Sequence, residues 1–183
     1  MRFSGAVLAG GHSRRFGRDK ARFRWRGRSL LLWVLESLAE AGERFVLAPR
    51  PYPEAGVPVL PDLKPGFGPL SGLHAALAYA RSEVVAVAAC DLPNLTPAYW
   101  RFLLRELGSA PALAVRDPLG RPEPLAALYT RRLLPLVERQ LAAGRGRMAE
   151  VLELAGARYL GWEEVAGRFG PRVLWNLNRP EDL

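Results

Sequence analysis

Hydrophobic positions along this chain alternate between short, continuous apolar runs and stripes at helical spacing. Phe3 to Leu8 predicts a buried strand, and Leu30 to Ala41 predicts an amphipathic helix with Ser29 as N-cap and Gly42 as its stop. Phe45 to Ala48 reads as a second short strand, proline-rich Pro49 to Pro58 as a loop, and Val59-Leu60 as an edge strand. Leu70 to Ala80 suits a helix entered through Gly68-Pro69. Val84 to Ala89 is apolar throughout, the mark of a central parallel strand covered on both faces. Thr96 then caps a helix with Pro97 at its first position, running to Leu107.

Strand alternating with helix implies βαβ units and a mostly parallel sheet. Beyond Pro111 the pattern changes: Leu113 to Val115 and Leu125 to Tyr129 read as strands flanking the Asp117-Pro118-Leu119-Gly120 turn. Helices follow over Arg132 to Ala143 and Met148 to Ala155, with short strands expected around Tyr159 and Leu174. No repeat, low-complexity tract or composition shift divides the chain, so residues 1–183 read as one domain. The expected fold is α/β, with a three-layer, mostly parallel sheet.

The first strand breaks into Gly10-Gly11-His12-Ser13-Arg14-Arg15-Phe16-Gly17-Arg18-Asp19-Lys20. Paired glycines let a backbone turn sharply and approach a ligand without an intervening Cβ. Unpaired amides in such a turn, beside fixed cations, suit a polyphosphate. The spacing is not G-x-x-x-x-G-K-[ST], nor G-x-G-x-x-G, nor a nucleophile elbow around Ser13. The alternative is a glycine turn carrying a solvated basic loop.

Composition sharpens this picture. The 26 basic residues include only two lysines, Lys20 and Lys64, so a lysine kept in the loop points to a need for a compact ammonium. A net charge of +8 fits nucleic acid or small anionic substrates equally well. Apart from one cluster between Arg14 and Arg28, the arginines are dispersed, which favours the small anion. Phe23 and Trp25 interleave that cluster as they would on a nucleic-acid surface, yet Ala21 to Trp25 also alternates like a half-buried extended segment. One cysteine and two histidines exclude a disulfide framework and a structural zinc site. No apolar run reaches the roughly 18 residues of a membrane span, and no secretory signal pattern opens the chain, so the cytoplasm is expected.

Ligands of open parallel sheets bind at the carboxyl ends of the strands. Asp91 stands there, after the most hydrophobic run and before Pro93, as a candidate Mg²⁺ ligand or a capping aspartate. Asp62 is placed similarly after Val59-Leu60, in a looser context. Cys90 has no nearby histidine to activate it and reads as a small buried side chain.

The loop from Leu8 to Lys20 has three companions: Gly68-Pro69-Leu70-Ser71-Gly72, Cys90-Asp91-Leu92-Pro93 and Asn176-Leu177-Asn178-Arg179-Pro180-Glu181-Asp182-Leu183. In this order, over nearly the whole chain, they resemble the molybdenum cofactor guanylyltransferase (MobA) family. The resemblance implies a nucleotide-diphospho-sugar-transferase-like fold and a Mg²⁺-dependent transfer of GMP from GTP to molybdopterin, releasing pyrophosphate. It implies nucleotide contacts at Leu8, Ala9, Gly10, Gly11, Lys20, Asp62 and Asp91. It makes Asp91 the metal ligand and puts Arg15 and Lys20 at the phosphates. Asn176 and Asn178 match a motif on the pterin side, their alternative being turn and capping asparagines.

The expected partners are GTP and molybdopterin, with transient contact with proteins that deliver or accept molybdopterin; no nucleic acid or membrane partner is expected, and the chain is expected to be a monomer. The chain departs from the family at Phe16, usually methionine, and at Arg179, usually threonine. Leu47 or Ala48 stands where an asparagine is usual. A cytidylyltransferase of the same pterin is the nearest rival; a sugar-1-phosphate nucleotidyltransferase and a non-enzymatic nucleic-acid- or guanine-nucleotide-binding module are further ones.

Overall fold

A computed structural model describes residues 1–11 and 19–178. Nine strands and six helices follow in chain order: β1 (Phe3–Leu8), β2 (Arg24–Trp25), β3 (Arg28–Ser29), α1 (Leu30–Ser37), β4 (Glu43–Leu47), β5 (Val59–Leu60), α2 (Pro69–Tyr79), β6 (Val84–Ala89), α3 (Pro97–Leu107), β7 (Ala112–Arg116), β8 (Pro122–Thr130), α4 (Leu134–Ala142), α5 (Met148–Ala155), β9 (Arg158–Leu160) and α6 (Trp162–Phe169). Seven strands form one sheet in the order β5-β4-β1-β6-β8-β7-β9, and β2 and β3 form a separate small hairpin.

The strands β5, β4, β1 and β6 are parallel, as the apolar runs predict. Strand β8 runs antiparallel to both its neighbours, because a tight hairpin turns the chain back after β7. Its first residues therefore reach the rim where β1 and β6 end.

Successive side chains of each strand enter opposite cores. Val7, Ala86 and Ala88 pack with Leu31, Val34 and Leu35 of α1, with Trp100 and Leu103 of α3, and with Val165 of α6. Ala6, Val85 and Val87 face Leu73 and Leu77 of α2, Val137 of α4, and Val151 and Leu152 of α5. Two covered faces explain why β6 tolerates no polar position. Each fully buried Val or Leu there contributes roughly 1.5–3 kcal/mol.

Local capping agrees with the sequence. The Ser29 side chain accepts from the Leu32 amide at 3.3 Å, and Thr96 Oγ1 accepts from the Tyr99 amide at 3.2 Å. Three expectations need correction. Helix α1 ends at Ser37, not Ala41, since Leu38 turns in against Gly5 and Gly42 is drawn to β1 by a 2.9 Å bond to the Phe3 carbonyl. The stretch Ala21 to Trp25 is a 3-10 turn over Lys20–Arg22 followed by two-residue β2, a geometry set by the Asp19 cap. Leu174 lies in a turn, while the unexpected α6 is held by Phe169 against Tyr99 and Phe102, both at 5.7 Å. Among the described residues, no helix is long and apolar enough to cross a membrane.

Candidate active site

The carboxyl rim of β1 and β6 gathers most of the residues that the sequence singles out. At the end of β1 the Leu8 carbonyl accepts from the Cys90 amide at 3.2 Å, and the Ala9 amide donates to the Leu47 carbonyl at 2.9 Å. Those groups belong to the sheet ladder, so Gly10 and Gly11 are the first residues beyond it. The companion glycine motif shapes the same rim. Gly68 opens α2 at φ +58°, a conformation that L side chains rarely adopt. A Cβ on Gly72 would sit 2.6 Å from Leu8 Cδ2, so any larger residue would push the Leu8 side chain aside where α2 meets β1. Ser71 fastens the intervening loop, accepting from the Phe67 amide and donating to the Lys64 carbonyl.

Lys20 reaches this rim from the 3-10 turn. Its Nζ donates to Asp91 Oδ2 at 2.8 Å and to Asn178 Oδ1 at 3.3 Å. The Leu177 amide donates to the Asp91 backbone carbonyl at 3.0 Å, and buried Leu177 packs on Leu30. Residues far apart in the chain thus converge on one carboxylate. The side-chain oxygen of Asn176, next to Leu177, is buried without a hydrogen-bond partner among the described residues. Of the remaining predicted residues, Asp62 follows edge strand β5, separated from β6 by β4 and β1. Burial raises its carboxyl above the ordinary value, and nearby His74 opposes the shift. Arg15 lies outside the described residues.

Asp91 presents a second oxygen, Oδ1, that is buried and has no hydrogen-bond partner among the described residues. An orphaned carboxylate oxygen at a strand end fits a hard divalent cation. Among the described residues no cluster of three or more His, Cys, Asp or Glu could hold a metal. A cation here would thus take Asp91 and complete its shell with ligand oxygens and water, the usual habit of Mg²⁺. Cys90 is no nucleophile: burial, reinforced by Asp91, pushes its thiol up to about 12. A concavity of about 480 Å³ lined by Glu43, Arg44, Phe45, Pro58, Leu60, Tyr79 and Arg81 shares none of these side chains.

Sequence reasoning missed the clamp that holds Lys20. Asp19 caps the turn, with Oδ1 accepting from the Ala21 amide at 3.1 Å. The hydroxyl of fully buried Tyr52 donates to the same carboxylate, 2.9 Å from each oxygen. Burial and that hydrogen bond hold the Tyr52 phenol well above its ordinary value, so it stays a donor. Arg50 adds an ion pair to Asp19 at 3.5 Å, and the Arg22 guanidinium sits over the Tyr52 ring at 4.8 Å. Tyr52 lies in a proline-rich loop without any local signal; Asp19 was visible beside Lys20, but its partner was not. Tyr52→Phe is expected to destabilise the fold by about 1.5 kcal/mol, because a charged acceptor loses its donor. Loosening Lys20 should lower kcat about threefold to tenfold. Urea unfolding and steady-state kinetics on the same preparation check both.

Among the described residues, the aromatic side chains of the basic cluster are taken up by local contacts. Phe23, Trp25 and Trp175 pack around Leu30 and Leu177, and Arg26 and Arg28 lie over the Trp25 and Trp33 rings at 4.4 and 5.1 Å.

Two glycines directly after the first strand, with a lysine and a strand-end aspartate meeting at the same rim of a doubly covered sheet, fit the nucleotidyltransferase class that the family match shows. The MobA-like NTP transferase domain model matches residues 5–158, and the chain belongs to that family. It is 41% identical over 181 residues to the probable molybdenum cofactor guanylyltransferase of Deinococcus radiodurans, covering 97% of this chain and 90% of that one. The crystal structure of molybdopterin-guanine dinucleotide biosynthesis protein A from Archaeoglobus fulgidus superposes with TM-score 0.82 at 28% identity, covering 98% and 94% of the two chains. The 2-C-methyl-D-erythritol 4-phosphate cytidylyltransferase of Thermus thermophilus shares the fold alone, at TM-score 0.73 and 18% identity over 100% and 95% of the chains. The fold is that of the nucleotide-diphospho-sugar transferases, as the motif set implies.

Proposed function

We propose that the protein transfers GMP from GTP to the phosphate of molybdopterin, releasing pyrophosphate. The observation that carries this reading is the meeting of Lys20, Asp91 and Asn178 at the rim, with one Asp91 oxygen buried and without a hydrogen-bond partner among the described residues. A guanylyltransferase name on a relative 41% identical over nearly the full chain supports the choice of base and acceptor.

An oxygen of the molybdopterin phosphate attacks the α-phosphorus of GTP, and the bond to the β-phosphate oxygen breaks as pyrophosphate leaves. Both reactants are anions, so the protein's task is charge neutralisation and alignment more than proton transfer. Lys20, held by Asp91 and Asn178, supplies a fixed cation near the transferred phosphate. The turn at Gly10 and Gly11 admits the triphosphate close to the backbone. Asp62 serves the nucleoside side, and Asn176 and Asn178 serve the acceptor side. A Mg²⁺ ion held at Asp91 Oδ1 would neutralise the phosphate oxygens and favour pyrophosphate departure. No covalent protein intermediate is required, in keeping with the high Cys90 pKa.

Pyrophosphate release measured with molybdopterin and Mg²⁺, offering GTP or CTP, tests the reading. GTP-dependent release with formation of the guanine dinucleotide is expected. A strong preference for CTP would transfer the protein to the cytidylyl branch. Steep salt-dependent DNA binding without turnover would replace the enzyme reading altogether.

A further inference from the structure

Of the carboxylates that form no ion pair among the described residues, only Asp62 and Glu123 are not exposed. In a chain with a net charge of +8, a half-buried carboxylate with no cation partner among the described residues stands out. Asp62 is accounted for on the nucleoside side. Glu123 is not. It lies in the first residues of β8, opposite Val115 of β7. The β6–β8 ladder runs from Val84 opposite Thr130 to Ala88 opposite Ala126, so Glu123 lies beyond it at the rim where β6 gives way to Asp91.

Its side chain is fixed in place. Glu123 Oε1 accepts from the Leu125 amide at 3.0 Å. The hairpin below is also rigid: Asp117 Oδ1 accepts from the Leu119 and Arg121 amides, both at 2.9 Å. The sheet order puts Glu123 on the far side of β6 from β1, β4 and β5, where Gly10 and Asp62 stand. A carboxylate not bridged by a cation repels the triphosphate and the acceptor's phosphate. It does match a ligand edge offering two adjacent N–H donors.

We propose that Glu123 is a specificity-determining residue of the acceptor site, its carboxylate receiving the paired N–H donors of the acceptor's 2-amino-4-oxopyrimidine ring. The proposal rests on the guanylyltransfer reading for the identity of the acceptor. Guanine carries the same donor edge, but the sheet order, with Glu123 across β6 from Gly10 and Asp62, assigns Glu123 to the pterin. Burial raises the Glu123 carboxyl above its ordinary value; the Leu125 amide opposes this, and Asp91 and Asp117 add to it. A raised carboxyl favours the fold below its ordinary titration range and loses that contribution as pH rises through the folded value. Above that range the burial of this group weighs against stability.

The test is Glu123→Gln, compared with the unaltered protein in steady-state kinetics, in thermal unfolding at pH 7.5 and in calorimetric titration with molybdopterin alone. The KM for molybdopterin and its dissociation constant should both rise about tenfold or more, since an amide nitrogen would then face a donor. The KM for GTP should change less than about twofold, and Tm should hold or rise. A rise confined to the KM for GTP overturns the assignment, as does unchanged molybdopterin binding, or a fall in Tm with equal loss in all parameters. If the unaltered protein bound molybdopterin in a Glu123-dependent way but released no pyrophosphate from GTP, the guanylyltransfer reading would fall and the pterin site would stand.

Discussion

Asp91→Asn should reduce turnover at least about 10³-fold at saturating GTP and Mg²⁺ while leaving the protein folded. The substitution keeps the shape of the side chain and an oxygen for the Lys20 ammonium. The Leu177 amide is bonded to the backbone carbonyl of Asp91, so the terminal segment keeps its anchor. What is lost is the negative charge that would seat a divalent cation and balance Lys20. Both partners are mostly shielded, with side-chain exposures of 17% for Lys20 and 14% for Asp91. A destabilisation of at most about 3 kcal/mol is expected from the uncompensated ammonium. Single-turnover kinetics across a Mg²⁺ titration, with circular dichroism as the fold control, decide the matter. A variant with near-normal rate and an unchanged Mg²⁺ requirement would show that Asp91 is not the metal ligand.

Lys20→Arg is expected to lower kcat/KM for GTP about 10²-fold, although charge is conserved. A lysine touches one oxygen of Asp91 and leaves the other without a hydrogen-bond partner among the described residues. A guanidinium fork would engage both oxygens of the carboxylate side by side. The oxygen needed for the cation would be taken up, and the apparent Mg²⁺ requirement should rise together with the loss of rate. A chain that otherwise strongly favours arginine retains lysine here, which is the outcome such competition would select. If the arginine variant worked as well as the original, positive charge alone would suffice and the single-oxygen contact would carry no meaning.

Much of this architecture is legible without coordinates. The strand over Phe3–Leu8, the strand over Val84–Ala89 and the helices over Pro97–Leu107 and Met148–Ala155 follow from apolar runs, caps and glycine stops. They are legible because local sequence and tertiary burial ask for the same thing at those positions. Helix α6 was not, since only Val165 of its eight residues is buried and Gly167 weakens it from within. Its existence depends on Phe169 docking against α3, a contact between elements that local periodicity does not encode.

The site divides in the same way. Gly10, Gly11, Lys20 and Asp91 announce themselves because glycines and a strand-end carboxylate are unusual where they stand, and residue type alone carries that signal. Chain order cannot say that Asn178 would return over 158 positions to touch Lys20, or that Tyr52 would hold Asp19. Nor can it say that the hairpin after β7 would bring Glu123 to the rim where β6 ends. Residue chemistry and short-range pattern determine which groups this protein has to work with and where its strands end. Which of those groups face one another is decided by sheet order and by the reversal of β8, because contacts across a sheet depend on register and not on separation along the chain.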